Sequence, residues 1–240
     1  NYFCQADGYS IGSEIEYGSL GTEGVLTSGD AFDCDVNGDG VYDSDTERFY
    51  YVSDMTNGIT SDSNTAVLIY YNNVSGGVPN NTKAYAYDST NENWHGPQTA
   101  VAQLPTTSQW KTTLTNTQRQ ITNDNSTTTT TGGDLSVFSY EGYAARFLTL
   151  QEVRLGCGTN IPTWQYGELS TKCKYLLENT RYTNSTGNYG EWLENPRADN
   201  STDAWIVFDY YRHVSISNAN NAGPLGIRPA IEVLKSDISY

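Results

Sequence analysis

The sequence contains an acidic turn with the residue spacing of a calcium-binding loop. Asp35, Asn37 and Asp39 stand at alternate positions and Gly40 follows them, which matches the start of an EF-hand loop. Alternate side chains on a tight turn direct their oxygens to one point, glycine permits the sharp bend, and the backbone carbonyl of Val41 takes the seventh position. We therefore expect bound Ca²⁺, a hard cation that prefers oxygen ligands.

The twelfth position of this turn departs from the EF-hand pattern. It holds Thr46, flanked by Asp45 and Glu47, where an EF-hand has a bidentate glutamate. The pattern predicts a shortened calcium loop of the extracellular kind, with a Kd of about 10⁻⁴–10⁻³ M. The alternative is an acidic turn without an ion. The predicted ligands are Asp35, Asn37, Asp39, Val41, Asp45 and Glu47.

Four cysteines allow three disulfide connectivities. We favour Cys4 with Cys34 and Cys157 with Cys173, because each pair brackets one short segment. Closing such a loop stabilises the fold by about 3 kcal/mol in the chain-entropy account. Four buried thiols are the alternative. A zinc site is disfavoured, because the chain has no Cys-x-x-Cys and two histidines.

A second cluster of polar and aromatic residues occupies positions 192–222. Trp, Tyr, Arg, Asn and Ser are the residue types of paratopes and interface hot spots, because they give large contact area at low entropic cost. The segment therefore predicts a binding surface. The alternatives are core packing for Trp192 and Trp205 and an ordinary solvated face for the polar members.

Catalytic chemistry has less support in the sequence. The chain has two histidines, His95 and His213, and no Gly-x-Ser-x-Gly nucleophile elbow. His95 belongs to a Trp-His-Gly-Pro turn and is interpreted as structural. No pair among the 28 acidic residues is singled out as a glycosidase pair. We therefore predict a protein that is not an enzyme.

The charge balance restricts the partners. With 13 basic and 28 acidic residues the net charge is −15, which argues against nucleic acid and against a basic membrane-binding face. No stretch approaches the ~18 apolar residues of a membrane span. Few charged residues, much Asn, Ser and Thr, and 19 Tyr suit a β-rich extracellular protein. The lack of an initiating Met predicts a mature or trimmed chain.

Short strands and helices are expected to position these residues. Aromatic and β-branched runs predict strands at 48–52, 65–71, 204–210, 213–217 and 228–234. Short helices are predicted at 96–105, 149–156 and 171–178. Thr149 and Glu152 have capping-box spacing, and Gly156 is the expected helix end. Residues 112–133 are predicted to be a long loop or an exposed edge. This mixture predicts an α+β fold.

Several segments resemble bacterial C-type-lectin-like domains, which are related in fold to formylglycine-generating enzymes and to the variable proteins of diversity-generating retroelements. Residues 145–152 (Ala-Arg-Phe-Leu-Thr-Leu-Gln-Glu) resemble the Arg-Leu-Pro-Thr-x-x-Glu-Trp helix entry of that fold. Residues 226–231 (Gly-Ile-Arg-Pro-Ala-Ile) resemble its closing Gly-Phe-Arg-Pro strand. Residues 189–196, followed by Ala204-Trp205, are similar to its Tyr-Trp-x-x-Ser-Pro … Ala-Trp run.

The resemblance implies a C-type-lectin-like α+β fold, with mixed short antiparallel strands, two or three short helices and long loops. That domain would span residues 48–240. Residues 1–47 would form an N-terminal segment with the first disulfide and the calcium loop, continuous with the rest. In the retroelement proteins, the part of the fold that corresponds to residues 192–222 presents the diversified ligand-binding surface. The resemblance suggests as surface residues Asn195, Arg197, Asp199, Tyr210, Tyr211, Arg212 and His213, and Asn200 of the polar cluster completes the predicted ligand-binding set.

Two departures from the family's motifs limit the functions that the resemblance implies. The sugar-binding Glu-Pro-Asn and Trp-Asn-Asp motifs of animal lectins are absent, so their kind of calcium-dependent sugar site is not expected. No cysteine follows Cys173, which argues against the oxidase chemistry of formylglycine-generating enzymes.

We therefore expect a secreted or cell-surface ligand-binding protein of the adhesin or receptor type, which recognises a protein or a glycan on another cell or surface. The first alternative is a structural or minor subunit of an extracellular filament or pilus, in which the chain would associate with itself. A glycan or peptide hydrolase is a further alternative with less support.

Overall fold

The computed structural model describes residues 2–6, 25–57, 60–117, 120–158, 167–168, 173–177, 190–208 and 213–240. The strands, in chain order, are β1 (Cys4–Gln5), β2 (Ala31–Cys34), β3 (Arg48–Asn57), β4 (Thr60–Tyr70), β5 (Val74–Ser75), β6 (Val78–Pro79), β7 (Thr129–Thr130), β8 (Gly133–Asp134), β9 (Gly167–Glu168), β10 (Gly190–Pro196), β11 (Asp203–Phe208), β12 (His213–Asn218), β13 (Leu225–Gly226), β14 (Ala230–Leu234) and β15 (Ile238–Ser239). The α-helices are α1 (Leu150–Cys157) and α2 (Lys174–Leu177), and 3-10 turns cover Ala100–Gln103, Leu135–Val137 and Lys235–Asp237.

Six strands form the larger sheet, in the order β14-β4-β3-β2-β1-β15. The antiparallel pair β3–β4 contains its two longest strands, with Phe49 opposite Tyr70. At one edge β1 runs parallel to β15, and Cys4 is opposite Ile238. Strands from the predicted segment 1–47 therefore share one sheet with strands from the rest of the chain.

The larger sheet has an apolar centre. Residues 66–70 of β4 are each at most 1% exposed, which explains why this run is continuously apolar instead of alternating. Trp110 packs edge-on against Phe49 and Tyr70, with ring centroids 5.5 Å and 5.0 Å apart. Helix α1 packs against β3. Burial of this sheet therefore organises the core.

Five strands form the second sheet, in the order β13-β10-β11-β12-β9. Trp192 of β10 lies opposite Ile206, and Trp205 of β11 lies opposite Ile216. Neither tryptophan is more than 1% exposed. Both are therefore core residues, which is the alternative that the composition left open.

Helix α1 begins with the predicted capping box. The Thr149 hydroxyl accepts the Glu152 amide, and the Glu152 carboxylate accepts the Thr149 amide. The helix ends at Cys157, one residue after the predicted end at Gly156, and Gly158 caps it with a φ of 63°. A Cβ on Gly156 would come within 2.7 Å of the Val52 carbonyl oxygen. Gly156 thus serves close packing of the helix on β3.

Of the described residues, 36% lie in strands and 12% in helices, so the fold is β-rich and the α+β C-type-lectin-like prediction is wrong. The helix predicted at 96–105 is the single 3-10 turn Ala100–Gln103, and α2 is a short helix within 171–178. Two-residue strands such as β1, β13 and β15 are too short for a periodic signal. They form only because distant segments pair with them.

The longer predicted strands are confirmed in β3, β4, β11, β12 and β14, with ends that differ by a few residues. Residues 209–210 of one prediction lie outside the described residues. The polar segment 112–133 is less exposed than predicted, because Thr122, Asn123 and Asp124 are buried and β7 pairs with β8 near its end.

Both predicted disulfides are confirmed. Cys4–Cys34 joins the neighbouring strands β1 and β2, and Cys157–Cys173 joins the end of α1 to the start of α2. Two disulfides are compatible with an extracellular protein. In the described part of the chain, every helix is too short or too polar to cross a membrane.

Candidate functional site

Residues 35–47, here called the acidic loop, lie between β2 and β3. The Asp35 carboxylate accepts hydrogen bonds from the amides of Asp39 (3.1 Å) and Gly40 (3.0 Å). The side-chain oxygen of Asn37 also accepts the Asp39 amide, at 2.9 Å. Gly40 has a φ of 81°, which glycine adopts without strain. The loop thus turns sharply around the three side chains that the spacing singles out.

Glu47 carries a buried carboxylate at the end of the acidic loop. The residue is 2% exposed, and its Oε2 accepts the Asp43 amide at 3.0 Å. The other oxygen, Oε1, is buried and accepts no hydrogen bond from the described residues. Burial raises the pKa of Glu47 to about 7; the amides of Asp43 and Asn37 oppose this, and the charges of Asp35 and Asp39 add to it.

The other two predicted ligands lie at the surface of the loop. Val41 is 62% exposed, and its amide donates to Asp39 Oδ1 at 2.8 Å. Asp45 is exposed, and its amide donates to Asp43 Oδ1 at 2.9 Å. Within the described ranges, no group of three or more His, Cys, Asp or Glu side chains is arranged to hold a metal ion. This holds for the acid side chains of the predicted set, Asp35, Asp39, Asp45 and Glu47, so an ion bound here would also need the side-chain oxygen of Asn37 and a main-chain oxygen.

A second site lies where β10 and β12 end and β11 begins. The surface consists of residues 88–95, 131–133, 197–203 and 218–221, here called the loop face. Asn93 belongs to the first of these segments, but its side chain is directed below the surface and the residue is 0% exposed. The side-chain nitrogen of Asn93 is 3.2, 2.6 and 2.7 Å from the main-chain oxygens of Arg197, Asn200 and Asp203. A single buried amide thus fixes the path of residues 197–203.

Further hydrogen bonds join the four segments of the loop face. The amide and the hydroxyl of Thr131 both donate to the Ala198 carbonyl, each at 3.1 Å. The Asn220 amide donates to the side-chain oxygen of Asn91 at 3.3 Å. The four segments therefore form one continuous surface.

Trp94 is the partly exposed aromatic residue of the loop face. A Cβ on Gly132 would come within 2.4 Å of the indole ring, and one on Gly133 within 2.7 Å. The two glycines therefore allow the ring to lie directly on the backbone. The neighbouring His95 has its Nδ1 2.9 Å from Asp88 Oδ2, which orients the imidazole at the surface.

Two buried side chains support the loop face from below. Asp124 accepts the Ala198 amide at 2.9 Å and the Trp205 indole N–H at 3.0 Å. Asn195 accepts the Leu150 amide at 2.7 Å and donates to the Thr122 carbonyl at 2.8 Å. These bonds tie the loop face to helix α1 and to strands β10 and β11 of the second sheet.

The structure separates the predicted ligand-binding residues. Asn195 is 0% exposed, so it supports the surface and cannot contact a ligand. Arg197, Asp199 and Asn200 lie on the loop face, and the side chain of Asp199 is 71% exposed. Arg197 forms ion pairs with Asp199 at 2.9 Å and with Asp203 at 3.4 Å. Three of the predicted residues are thus brought together.

His213 lies at the far end of β12 from the loop face. It is five residues from Asn218 along an extended strand, which corresponds to about 17 Å. The residue is 9% exposed, and its ring centroid is 6.1 Å from that of Phe208. His213 therefore does not share a surface with Arg197. Outside the described residues lie Tyr210, Tyr211 and Arg212.

Sequence reasoning missed Asn93 and Trp94. The run 91–95, Asn-Glu-Asn-Trp-His, has the same amide, acid and aromatic composition as the segment 192–222. That composition was the available signal. Nothing local indicates that the run contacts residues 197–203, because the partners of Asn93 lie more than 100 residues further along the chain.

Similarity to known proteins gives no separate indication of function. No family model, curated protein or solved structure matches this chain.

Proposed function

We propose that this protein is an extracellular ligand-binding protein of the adhesin or receptor type and that the loop face is its binding surface. The observation that carries the proposal is the arrangement of four segments around the buried side chain of Asn93, with Trp94 partly exposed above it. A surface that is ordered before binding loses less conformational entropy on association.

The composition of the loop face favours an uncharged ligand rich in hydroxyl groups, which is the chemistry of a neutral glycan. Its segments contain four acidic side chains and one basic side chain, so an anionic ligand would be repelled. The basic residue, Arg197, is already paired with Asp199 and Asp203. Amides and carboxylates hydrogen-bond to hydroxyl groups, and the indole of Trp94 offers apolar area for the C–H groups of a sugar ring.

An array of neutral glycans, probed with the wild type and with Trp94→Ala, tests this proposal. We expect the wild type to bind a subset of the glycans and Trp94→Ala to bind them about tenfold or more weakly, because the substitution removes an aromatic contact of hot-spot type. Leu155→Ala is the matched control. Leu155 is 59% exposed on α1 and lies in none of the four segments, so binding should be unchanged.

Thermal unfolding of the three proteins shows whether each variant is folded before its binding is compared. A folded Trp94→Ala variant with wild-type binding would contradict the proposed surface. A wild-type protein that binds no neutral glycan, or only sulfated or sialylated ones, would contradict the proposed ligand class.

A further inference from the structure

Oε1 of Glu47 is a buried carboxylate oxygen that accepts no hydrogen bond from the described residues. Unpaired buried oxygens of a carboxylate are costly, because burial removes water and nothing replaces it. The other oxygen, Oε2, accepts the amide of Asp43 in the same loop at 3.0 Å, and the residue is 2% exposed. The carboxyl group is therefore held against the acidic loop and away from solvent.

The acidic loop has oxygen atoms with the capacity to coordinate a cation. Each Asp35 oxygen accepts one backbone amide, and an ionised carboxylate oxygen has a second lone pair. The same holds for the side-chain oxygen of Asn37 and for Asp39 Oδ1. Glu47 stands at the thirteenth position when Asp35 is counted as the first. It supplies the acid that the twelfth position lacks.

Glu47 faces inward because of where the next strand begins. Strand β3 starts at Arg48, directly after it, and the Glu47 carbonyl accepts the Cys34 amide at 3.0 Å. The backbone at Glu47 is thus held against the end of β2. The side chain is thereby placed under the loop, while Asp45 stays exposed.

We propose that Asp35, Asn37, Asp39, the main-chain carbonyl of Val41 and Glu47 bind one Ca²⁺ ion. The ligand set contains only oxygen atoms, which favours a hard cation over zinc or copper. Ca²⁺ tolerates irregular geometry with a bidentate carboxylate, whereas Mg²⁺ requires a near-octahedral shell at short distances. The ion also offsets the repulsion among the clustered carboxylates and occupies the side of Glu47 that has no hydrogen bond.

The site would brace the N-terminal strand. Cys34 forms its disulfide with Cys4 directly before the loop, and the Asp35 amide donates to the Phe3 carbonyl at 3.0 Å. On the other side, the Lys111 amide donates to the Val36 carbonyl at 2.6 Å. A bound ion would therefore rigidify a loop that holds β1 and the segment around Lys111 together.

Thermal unfolding of the full chain in EGTA and in CaCl₂ tests the proposal. We expect a Kd of about 10⁻⁴–10⁻³ M. At about 10 mM CaCl₂, up to a hundredfold above that Kd, the Tm should rise by about 3–10 °C. MgCl₂ at the same concentration should give a clearly smaller shift. Isothermal titration with CaCl₂ should give one site.

Two variants separate binding from folding. Glu47→Gln removes a ligand charge but keeps the shape, so in EGTA it should melt at or above the temperature of the wild type, because a buried carboxylate is gone. The same variant should lose most of the Tm rise that Ca²⁺ gives. Asp45→Asn removes a charge from the exposed part of the same loop and should keep that rise almost unchanged.

Three results would overturn the site. These are an unchanged Tm and no binding heat in CaCl₂, an equal response to Mg²⁺, or a Glu47→Gln variant that responds to Ca²⁺ as the wild type does. None of these measurements uses a glycan, so the calcium site can fail while the proposed function stands.

Discussion

The guanidinium of Arg146 and the carboxylate of Glu152 form a two-point ion pair inside the protein. The Nη1–Oε1 and Nη2–Oε2 distances are both 2.7 Å, and neither side chain has any exposed area. The Nε of Arg146 also donates to Glu232 Oε2 at 3.0 Å, while Glu152 caps helix α1 through the Thr149 amide. One side chain therefore connects the start of α1 to strand β14 of the larger sheet.

Replacing Arg146 with methionine should lower the free energy of unfolding by about 3–5 kcal/mol, because two buried carboxylates, those of Glu152 and Glu232, lose their counter-charge. Urea unfolding followed by tryptophan fluorescence measures the change. Lys83→Met removes an exposed cation and should stay within about 0.5 kcal/mol of the wild type. Equal effects of the two substitutions would show that the buried pair contributes little.

The capping box of α1 gives a smaller and separable effect. Thr149→Ala removes the hydroxyl that accepts the Glu152 amide at 3.1 Å and should cost about 1 kcal/mol. Thr149→Ser keeps the hydroxyl and should recover most of that loss. Because the Thr149 hydroxyl also lies 3.3 Å from the Thr56 hydroxyl, the difference between the two variants in urea unfolding measures both contacts of the hydroxyl. Similar losses in both variants would assign the effect to packing of the methyl group.

The two disulfides should differ in their contribution to stability. They close segments with sequence separations of 30 (Cys4–Cys34) and 16 (Cys157–Cys173). In the chain-entropy account each contributes about 3 kcal/mol, and the longer loop contributes about 0.6 kcal/mol more. Replacing each pair with alanines and measuring unfolding without reductant tests the order. If removal of Cys157–Cys173 lowered the free energy of unfolding more than removal of Cys4–Cys34, contacts in the native state would determine the contribution of each disulfide, and chain entropy would not.

Buried tyrosines should make the fold sensitive to high pH. Burial raises the pKa of Tyr51, Tyr70, Tyr87 and Tyr175 above the ordinary value of 10. The folded state keeps these phenols protonated where the unfolded state ionises them. Their contribution to stability is therefore complete below about pH 10 and is lost as the pH rises beyond it.

Tyrosinate absorbance and near-ultraviolet circular dichroism, recorded together during an alkaline titration, check this expectation. Exposed tyrosines should ionise first, while the near-ultraviolet spectrum of the folded protein is retained. The four buried tyrosines should ionise only when the protein unfolds cooperatively. Ionisation of all 19 tyrosines in one step without loss of the folded spectrum would contradict it.

Local signals predicted the elements that short-range interactions determine. The Thr149–Glu152 spacing located the start of α1, and the apolar run at residues 66–70 located β4, because a cap and a buried strand each depend on neighbouring residues. The fold class was wrong because β1 and β15 form only by pairing with other strands: β1 pairs with β2 and with β15, where Cys4 lies opposite Ile238. No local pattern encodes a contact over that sequence distance.

The same distinction between local and long-range interactions applies to the acidic loop and the loop face. The spacing of Asp35, Asn37 and Asp39 is local, and the structure bends the chain there as the spacing predicts. Whether the Glu47 side chain is buried depends on the residue at which β3 begins. The hydrogen bonds of the Asn93 side chain depend on a loop more than 100 residues away. Composition drew attention to 197–200, but it could not show that Asn195 points into the protein.

Asn93→Asp should disrupt the loop face while leaving the core intact. The change replaces the amide donor with a carboxylate, which would then stand against the carbonyl oxygens of Arg197, Asn200 and Asp203. Loss of these bonds should lower the free energy of unfolding by about 1–3 kcal/mol. Amide hydrogen exchange should accelerate in residues 197–203, because local opening no longer breaks the bonds to Asn93.

The matched control is Asn125→Asp, an identical chemical change at an exposed residue, which should alter neither hydrogen exchange at 197–203 nor binding. Because Trp94 follows Asn93 directly, Asn93→Asp should also weaken glycan binding to about the level of Trp94→Ala. Unchanged exchange protection in a folded Asn93→Asp variant would show that Asn93 does not hold the segment. Faster exchange with wild-type binding would show instead that a ligand does not need residues 197–203 in place, and the binding surface would then have to lie elsewhere.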